Sequence, residues 1–308
     1  MQIYLPIAEL PVSIFLVLGL GAAVGFISGM FGVGGGFLMT PLLIFIGIPA
    51  AVAVATESAQ IAASSMTGAI AYWRRRALDF KLGSVLLAGG VLGTVLGVAF
   101  FNAMRRLGQL DLVITLSYIT LLGSVGGLMF TESLRAMASA RRGGPVKLRH
   151  GGQHPWYFGL PLRMRFHRSK LYVSIIPLVT LSTLIGFIGA VLGIGGGFLM
   201  VPALIYMFRV PTAVVVGTSL FQILFTMVAA TMLHSATNQS VDIILAMLLV
   251  VGGVFGAQFG ARAGQNIRGE HFRLLLALIV LAVGVRFASE IVLKPDELFS
   301  LGVTEIRR

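Results

Sequence analysis

Hydrophobic residues along this chain run in long blocks rather than in alternation. Several blocks approach or exceed the ~20 apolar residues that a helix needs to cross a bilayer core. Short polar segments separate them, among them "RRRALDFK" (74 to 81) and "SATNQSVD" (235 to 242). The pattern predicts an all-α polytopic membrane protein. One block interrupts itself: "GMFGVGGGFLMTP" (29 to 41) holds three consecutive glycines and a proline, both poor choices for a helix interior. The segment reads as two helices, residues 12 to 32 and 37 to 47, joined at a glycine break. The second piece is about 16 Å long at 1.5 Å per residue, enough to go half way across and return as a hairpin.

The same phrase recurs as "AVLGIGGGFLMVP" (190 to 202). At an offset of 161, "GFISGMFGVGGGFLMTPLLIF" (25 to 45) lies over "GFIGAVLGIGGGFLMVPALIY" (186 to 206). One residue of insertion later, "PAAVAVATESAQI" (49 to 61) lies over "PTAVVVGTSLFQI" (211 to 223), which matches Thr56 with Thr218 and Gln60 with Gln222. A second insertion pairs Asp79 with Asp242 and "GVLG" (90 to 93) with "GVFG" (253 to 256). The expected organisation is a first membrane repeat over 1–130, a basic connecting loop over 131–171 and a second repeat over 172–308. Duplicated bundles of this kind build many secondary transporters.

Each half is read as a broken-helix hairpin plus three transmembrane helices. An odd number of crossings inverts the second half relative to the first, whereas a mere kink at the break would give four crossings and parallel halves. Basic residues distinguish the two arrangements, because they concentrate in cytoplasmic loops. Inversion places seventeen Lys and Arg inside and five outside, and Arg286 within an apolar helix completes the 23. The parallel arrangement would put Arg209, Arg262, Arg268 and Arg273 outside and leave "SATNQSVD" as a cytoplasmic loop with no basic residue. Two inverted-topology repeats are therefore expected, with both termini outside and 131–171 in the cytoplasm.

Composition narrows the function classes. The chain is 57% hydrophobic and only 11% charged, against roughly 25% charged in ordinary soluble domains. With no cysteine there can be no disulfide, thiolate metal site or Cys nucleophile. The net charge of +12 falls largely in loops, where it orients the protein and meets anionic lipid rather than nucleic acid. Residues 1 to 10 hold no Lys or Arg, so no cleaved signal peptide is expected. His150, His154 and His167 lack compact ligand spacing, and His234 and His271 stand apart. No Walker-type nucleotide motif is present, so no cofactor, no metal and no enzyme activity are expected. Multi-pass insertion in the cell inner (plasma) membrane is the expected location.

The doubled "GGGFLM" element and the Thr-containing segments after it, "ATESAQI" (55 to 61) and "GTSLFQI" (217 to 223), resemble those of the TauE/SafE sulfite exporter family, the YfcA-like permeases. The resemblance covers both halves but not the connecting loop. It implies a carrier of a sulfur oxyanion or organosulfonate such as sulfite, sulfoacetate or taurine-related compounds. Glu57 departs from the pattern, standing where a small polar residue is expected.

The glycines have a physical reading of their own. Non-helical backbone at membrane depth needs a wet cavity or a protein environment. A helix that starts after a glycine run points free N–H groups and the positive end of its dipole into that cavity, which favours anions. Gly34, Gly35, Gly36 and Gly195, Gly196, Gly197 are accordingly candidate substrate-binding residues. Thr56 with Gln60, and Thr218 with Gln222, each share a helix face four residues apart and can complete an oxyanion site, with Ser219 and, more weakly, Ser58 beside them. Hydrogen bonding between helices would serve the same side chains as well. Glu57 is the candidate coupling residue, since intramembrane carboxyls serve as proton relays or ion ligands. Gly89, Gly93 and Gly97, like Gly252, Gly256 and Gly260, read as helix-packing faces, and Arg286 and Glu290 as an ion pair.

The leading expectation is a secondary transporter of a small anion, working by alternating access at a midplane site between the repeats. The alternative is a cation- or proton-coupled carrier of another small solute with Glu57 as its key ligand. The partners expected are the anionic substrate and the bilayer, with anionic lipid at the basic loop; homo-oligomerisation is left open.

Overall fold

The structure is a computed structural model that describes residues 2–31, 36–141, 161–166, 168–169, 171–208, 210–263 and 269–293. Its elements follow one order twice. A β-hairpin, β1 (Gln2–Leu5) and β2 (Leu10–Ser13), leads into α1 (Ile14–Phe31), α2 (Gly36–Phe45), α3 (Ala50–Arg74), α4 (Phe80–Arg106) and α5 (Leu110–Arg141). A second hairpin, β3 (Arg163–Phe166) and β4 (Leu171–Ser174), leads into α6 (Ile175–Leu192), α7 (Gly197–Tyr206), α8 (Thr212–Asn238), α9 (Ile243–Ala263) and α10 (Gly269–Leu293). The hairpins pair antiparallel in matching register, Gln2 with Ser13 and Arg163 with Ser174. Among the described residues, Phe80–Arg106, Leu110–Thr131, Ile175–Leu192, Val214–Asn238 and Ile243–Gly260 are long and apolar enough to cross a membrane. The protein is an all-α polytopic membrane protein.

Part of the segment expected as a connecting loop is ordered structure. Helix α5 continues to Arg141, and 163–174 forms the second hairpin; residues 142–160, with His150 and His154, lie outside the described residues, as does His167. Both hairpins escape a reading by hydrophobic blocks, because four-residue strands broken by Pro6 and Pro11 give too short a period-two signal.

Proline and glycine set the helix boundaries. Pro49 and Pro211 occupy the N-cap positions of α3 and α8 with φ of −53° and −57°, values that the pyrrolidine ring fixes in advance. Helix α6 stops at Gly193, and Gly193, Gly195 and Gly196 all adopt left-handed conformations, with φ of 69°, 70° and 74°. Only glycine takes three such positions within four residues without strain. The chain then doubles back. A side chain at Gly189 would meet the backbone of Gly195 and Gly196, and Phe208, just past α7, shares a buried cluster with Val173 and Leu178 at the start of α6. The α6–α7 pair is a helical hairpin.

The chain groups into two compact units, residues 1–114 with 147–268 and residues 115–146 with 269–308. In the first, the halves interlock: α1 packs on α9, its counterpart α6 packs on α4, and the central helices α3 and α8 pack on each other. Glycines make the close crossings. A Cβ at Gly25 would come 2.7 Å from the Cα of Gly253, and one at Gly256 would come 2.9 Å from the Cα of Ala22. On the matching face, Gly89, Gly93 and Gly97 lie against the α6 backbone from Val179 to Phe187. Small residues at four-residue spacing thus bring backbones into contact where apolar burial adds nothing to helix association in lipid. In the second unit, Tyr118 and Phe287 stack with ring centroids 5.4 Å apart, and Gly126 receives Val280 and Leu281. The Glu290 side chain lies outside the described residues.

Candidate functional site

The start of α7 leaves backbone N–H groups without intrahelical partners. The first bonds of this helix run from the N–H groups of Leu199 and Met200 to the Gly196 carbonyl. The N–H groups of Gly197 and Phe198 precede them and have no intrahelical acceptor. Beside this turn is a cavity of about 20 Å³, where a water needs about 10–15 Å³. Gly195 and Gly197 line it from the break, Ser65 from α3 and Ser219 from α8. Ile61, Ile223 and Leu220 supply apolar wall. Ser219 is 1% exposed, and its Oγ has no hydrogen-bond partner among the described residues. Two serines, the start of a helix and backbone free of Cβ atoms therefore converge on one small, otherwise apolar space.

The starts of α2 and α7 adjoin. The rings of Phe37 and Phe198, the second residues of α2 and α7, stack with centroids 4.3 Å apart. Gly36 abuts the Gly193 carbonyl and Ile194, and Thr40 Oγ1 donates to the Gly193 carbonyl at 3.5 Å. Ile61 of α3 covers Gly36 and Gly195 together. Gly34 and Gly35 lie outside the described residues, and Gly196 turns towards Ile185 rather than lining the cavity.

The Thr and Gln pairs of α3 and α8 sit elsewhere, at the seam between the halves. Thr218 Oγ1 accepts from the backbone N–H of Asp79, and Thr56 Oγ1 accepts from that of Asp242. The Gln60 amide lies over Gly253 of α9 and the Gln222 amide over Gly90 of α4; Gln222 Oε1 has no partner among the described residues. Ser58 Oγ donates to the Val54 carbonyl.

Asp79 and Asp242, which the repeat alignment pairs but residue type alone does not single out, are further residues of the seam. Asp79 caps α4 by accepting from the N–H groups of Lys81 and Leu82, and its other oxygen accepts from the N–H and hydroxyl of Ser169 in the β3–β4 turn. Asp242 accepts from the N–H of Leu245 and, across the molecule, from that of Ile7 in the β1–β2 turn. Each half's aspartate thus holds the hairpin of the other half. Ser65 and the Phe37–Phe198 stack also gave no signal, since an isolated Ser or Phe in an apolar block is ordinary composition.

Glu57 is fully buried, and neither carboxyl oxygen has a hydrogen-bond partner among the described residues. In the repeat alignment it is the counterpart of Ser219. His234 is also buried, with Nε2 at 3.3 Å from the Ala190 carbonyl, Nδ1 at 3.1 Å from Asn238 and Phe101 packed edge-on. Among the described residues, no group of three or more His, Asp or Glu could hold a metal ion.

Twice-written helices, helix starts that meet and a small, largely apolar cavity beside the second break define a multi-pass membrane protein of repeated helical elements. The family described as sulfite exporter TauE/SafE matches residues 17–287, and the chain belongs to it. It is 31% identical over 283 residues to a probable membrane transporter protein of Xylella fastidiosa, covering 89% of this chain and 94% of the relative. It is 27% identical over 278 residues to the probable membrane transporter protein YjnA of Bacillus subtilis, covering 89% and 98%. With the probable membrane transporter protein YunE of the same organism it shares 23% over 286 residues, 90% and 98% of the two chains. No solved structure matches.

Proposed function

We propose that this protein is a secondary transporter of a small anion, sulfite or an organosulfonate, which it moves by alternating access at the glycine breaks between the two repeats. The carrying observation is the cavity at the start of α7, where the unpartnered Ser219 hydroxyl meets Gly195 and Gly197. Free N–H groups and the positive end of a helix dipole favour an anion there, and one neutral hydroxyl holds it without a full opposing charge. The cavity has room for a water or two, as befits a closed intermediate that must open to admit cargo.

The same elements support inversion of the repeats. An α6–α7 hairpin that returns to its starting side would leave α8, α9 and α10 as three full crossings of the second half. The reciprocal contacts of α1 with α9 and α6 with α4 are those of a two-fold relation. Charge agrees: Arg163, Arg165 and Arg168 are exposed around the second hairpin, whereas residues 2–13 hold only Glu9. The basic hairpin belongs to the cytoplasmic side, facing anionic lipid headgroups.

Purified protein reconstituted in vesicles without nucleotide tests the reading. Labelled sulfite, taurine or sulfoacetate should equilibrate across the vesicle membrane faster than in protein-free vesicles. Cation movement with none of these anions would favour the second reading, a cation carrier centred on the unpartnered Glu57 carboxyl.

A further inference from the structure

The two halves repeat the same element at the breaks but differ at one position. Ser219 of α8 faces the second break with a neutral hydroxyl, and its counterpart on α3 is Glu57. On α3, Val54 and Ile61 share a face with Glu57 at three- and four-residue spacing. That face looks at the breaks: Val54 packs on Gly193, and Ile61 on Gly36 and Gly195. Ile61 also lines the cavity, so Glu57 sits one helical turn, about 5.4 Å along the axis, from the cavity wall.

The chemistry around Glu57 selects its ligand. A metal cation such as Na⁺ needs several oxygen ligands, as hard cations do, but the neighbouring hydroxyls are engaged, Ser58 with the Val54 carbonyl and Thr40 with the Gly193 carbonyl. A lone buried carboxyl suits a proton. Among the described residues, the elements packed on α3 give its oxygens no hydrogen-bond partner. Helices α2 and α6 have no titratable residue. Helix α8 has only His234, near its C-terminal end, bonded to the Ala190 carbonyl and Asn238. On the α9 side are Arg262 in the last turn and the cap Asp242, whose two oxygens are held by the N–H groups of Leu245 and Ile7. Tyr72 and Arg74 of α3 itself lie in its last turn.

We propose that Glu57 is a proton site coupled to the anion site, and that one proton travels with each anion in the same direction. This rests on the transport reading above. An ionised Glu57 repels an anion one turn away, and a neutral Glu57 does not. Anion binding and protonation therefore favour each other, and by linkage each strengthens the other equally. On the loading side the carboxylate takes a proton from bulk water as the anion enters. On the releasing side the anion leaves and the returning carboxylate charge gives the proton to bulk water. The repeat that binds the anion and the repeat that binds the proton use the same position of the same element.

The test is vesicles holding the purified protein and a pH dye, given an inward gradient of labelled sulfoacetate, whose acid groups stay ionised near neutral pH. Wild type should acidify the lumen with about one proton per anion, and an imposed inward proton gradient should drive anion accumulation. In Glu57→Gln the ratio of protons to anions should fall at least about tenfold, with anion binding indifferent to pH. Anion movement by wild type with no accompanying proton overturns the proposal while leaving the transport reading intact. No movement of any anion overturns both. Should Glu57→Gln fail to fold, the wild-type ratio is decisive by itself, and Glu57→Asp, which keeps the acid, should retain coupled proton movement.

Discussion

The backbone N–H of Asp79 donates to Oγ1 of Thr218 at 3.1 Å, joining the start of α4 in one half to the central helix of the other. Its counterpart, from Asp242 to Thr56, spans 3.0 Å. Both threonines and both aspartates are buried, so each bond satisfies a donor that water cannot reach. Together with the hairpin turns held by the aspartate side chains, these bonds tie each half to the other at two places.

Removing an acceptor from such a bond should be costly. Thr218→Val keeps the shape and leaves the Asp79 N–H unpaired, which costs about 1–3 kcal/mol. Thermal unfolding in detergent should show a lowered Tm for Thr218→Val and a similar fall for Thr56→Val.

The two aspartates should not be equal. The Asp79 carboxylate accepts from Lys81, Leu82 and twice from Ser169, whereas that of Asp242 accepts from Leu245 and Ile7. Asp79→Ala should therefore lower Tm more than Asp242→Ala. An equal or reversed order would show that these hydrogen-bond partners do not set the strength of the two ties.

Glycine substitutions separate packing from mere helix content. At Gly256 a Cβ would come within 2.8 Å of the carbonyl carbon of Ala22, whereas at Gly19 nothing lies within 4 Å. Gly256→Ala should force α9 from α1 and reduce the yield of folded protein, while Gly19→Ala should be tolerated. Gel-filtration profiles of the two variants check this.

The absence of cysteine makes topology directly measurable. Exposed Tyr4 and Arg165 lie in the first strands of the two hairpins, β1 and β3. Tyr4→Cys should react with a membrane-impermeant maleimide from outside the cell, and Arg165→Cys only after the membrane is opened. Labelling of both from the same side would mean parallel repeats.

Much of this architecture was legible in the sequence. The glycine runs, the repeat and the crossing glycines were visible because each leaves a mark in residue type: left-handed backbone requires Gly, and close helix crossings require small side chains. The partners of Thr56 and Thr218 were not visible, since a hydroxyl one helix turn from an amide reads equally as substrate ligand or as helix-to-helix bond. Which donor it meets depends on how α3 and α8 lie against α9 and α4, a tertiary fact. Ser219 illustrates the converse. The sequence reading sets Ser219 only a little ahead of Ser58, yet Ser58 bonds its own helix and Ser219 faces the cavity with no partner among the described residues. The short β-hairpins were missed because their strands are too brief to show alternation, although their repeat at an offset of 161 was there to be found.

The central claim is that an anion binds at the start of α7 beside Ser219. Thermal unfolding of the purified protein with sulfite, sulfate, thiosulfate, sulfoacetate, taurine and a carboxylate control tests it most directly, because a ligand of the native state raises Tm by mass action. Sulfite or a sulfonate should raise Tm of wild type, and Ser219→Ala should weaken that effect by about tenfold or more in ligand concentration, the loss of one hydrogen bond to a charged group. A stabilisation that Ser219→Ala leaves unchanged, or none from any anion, would contradict the account.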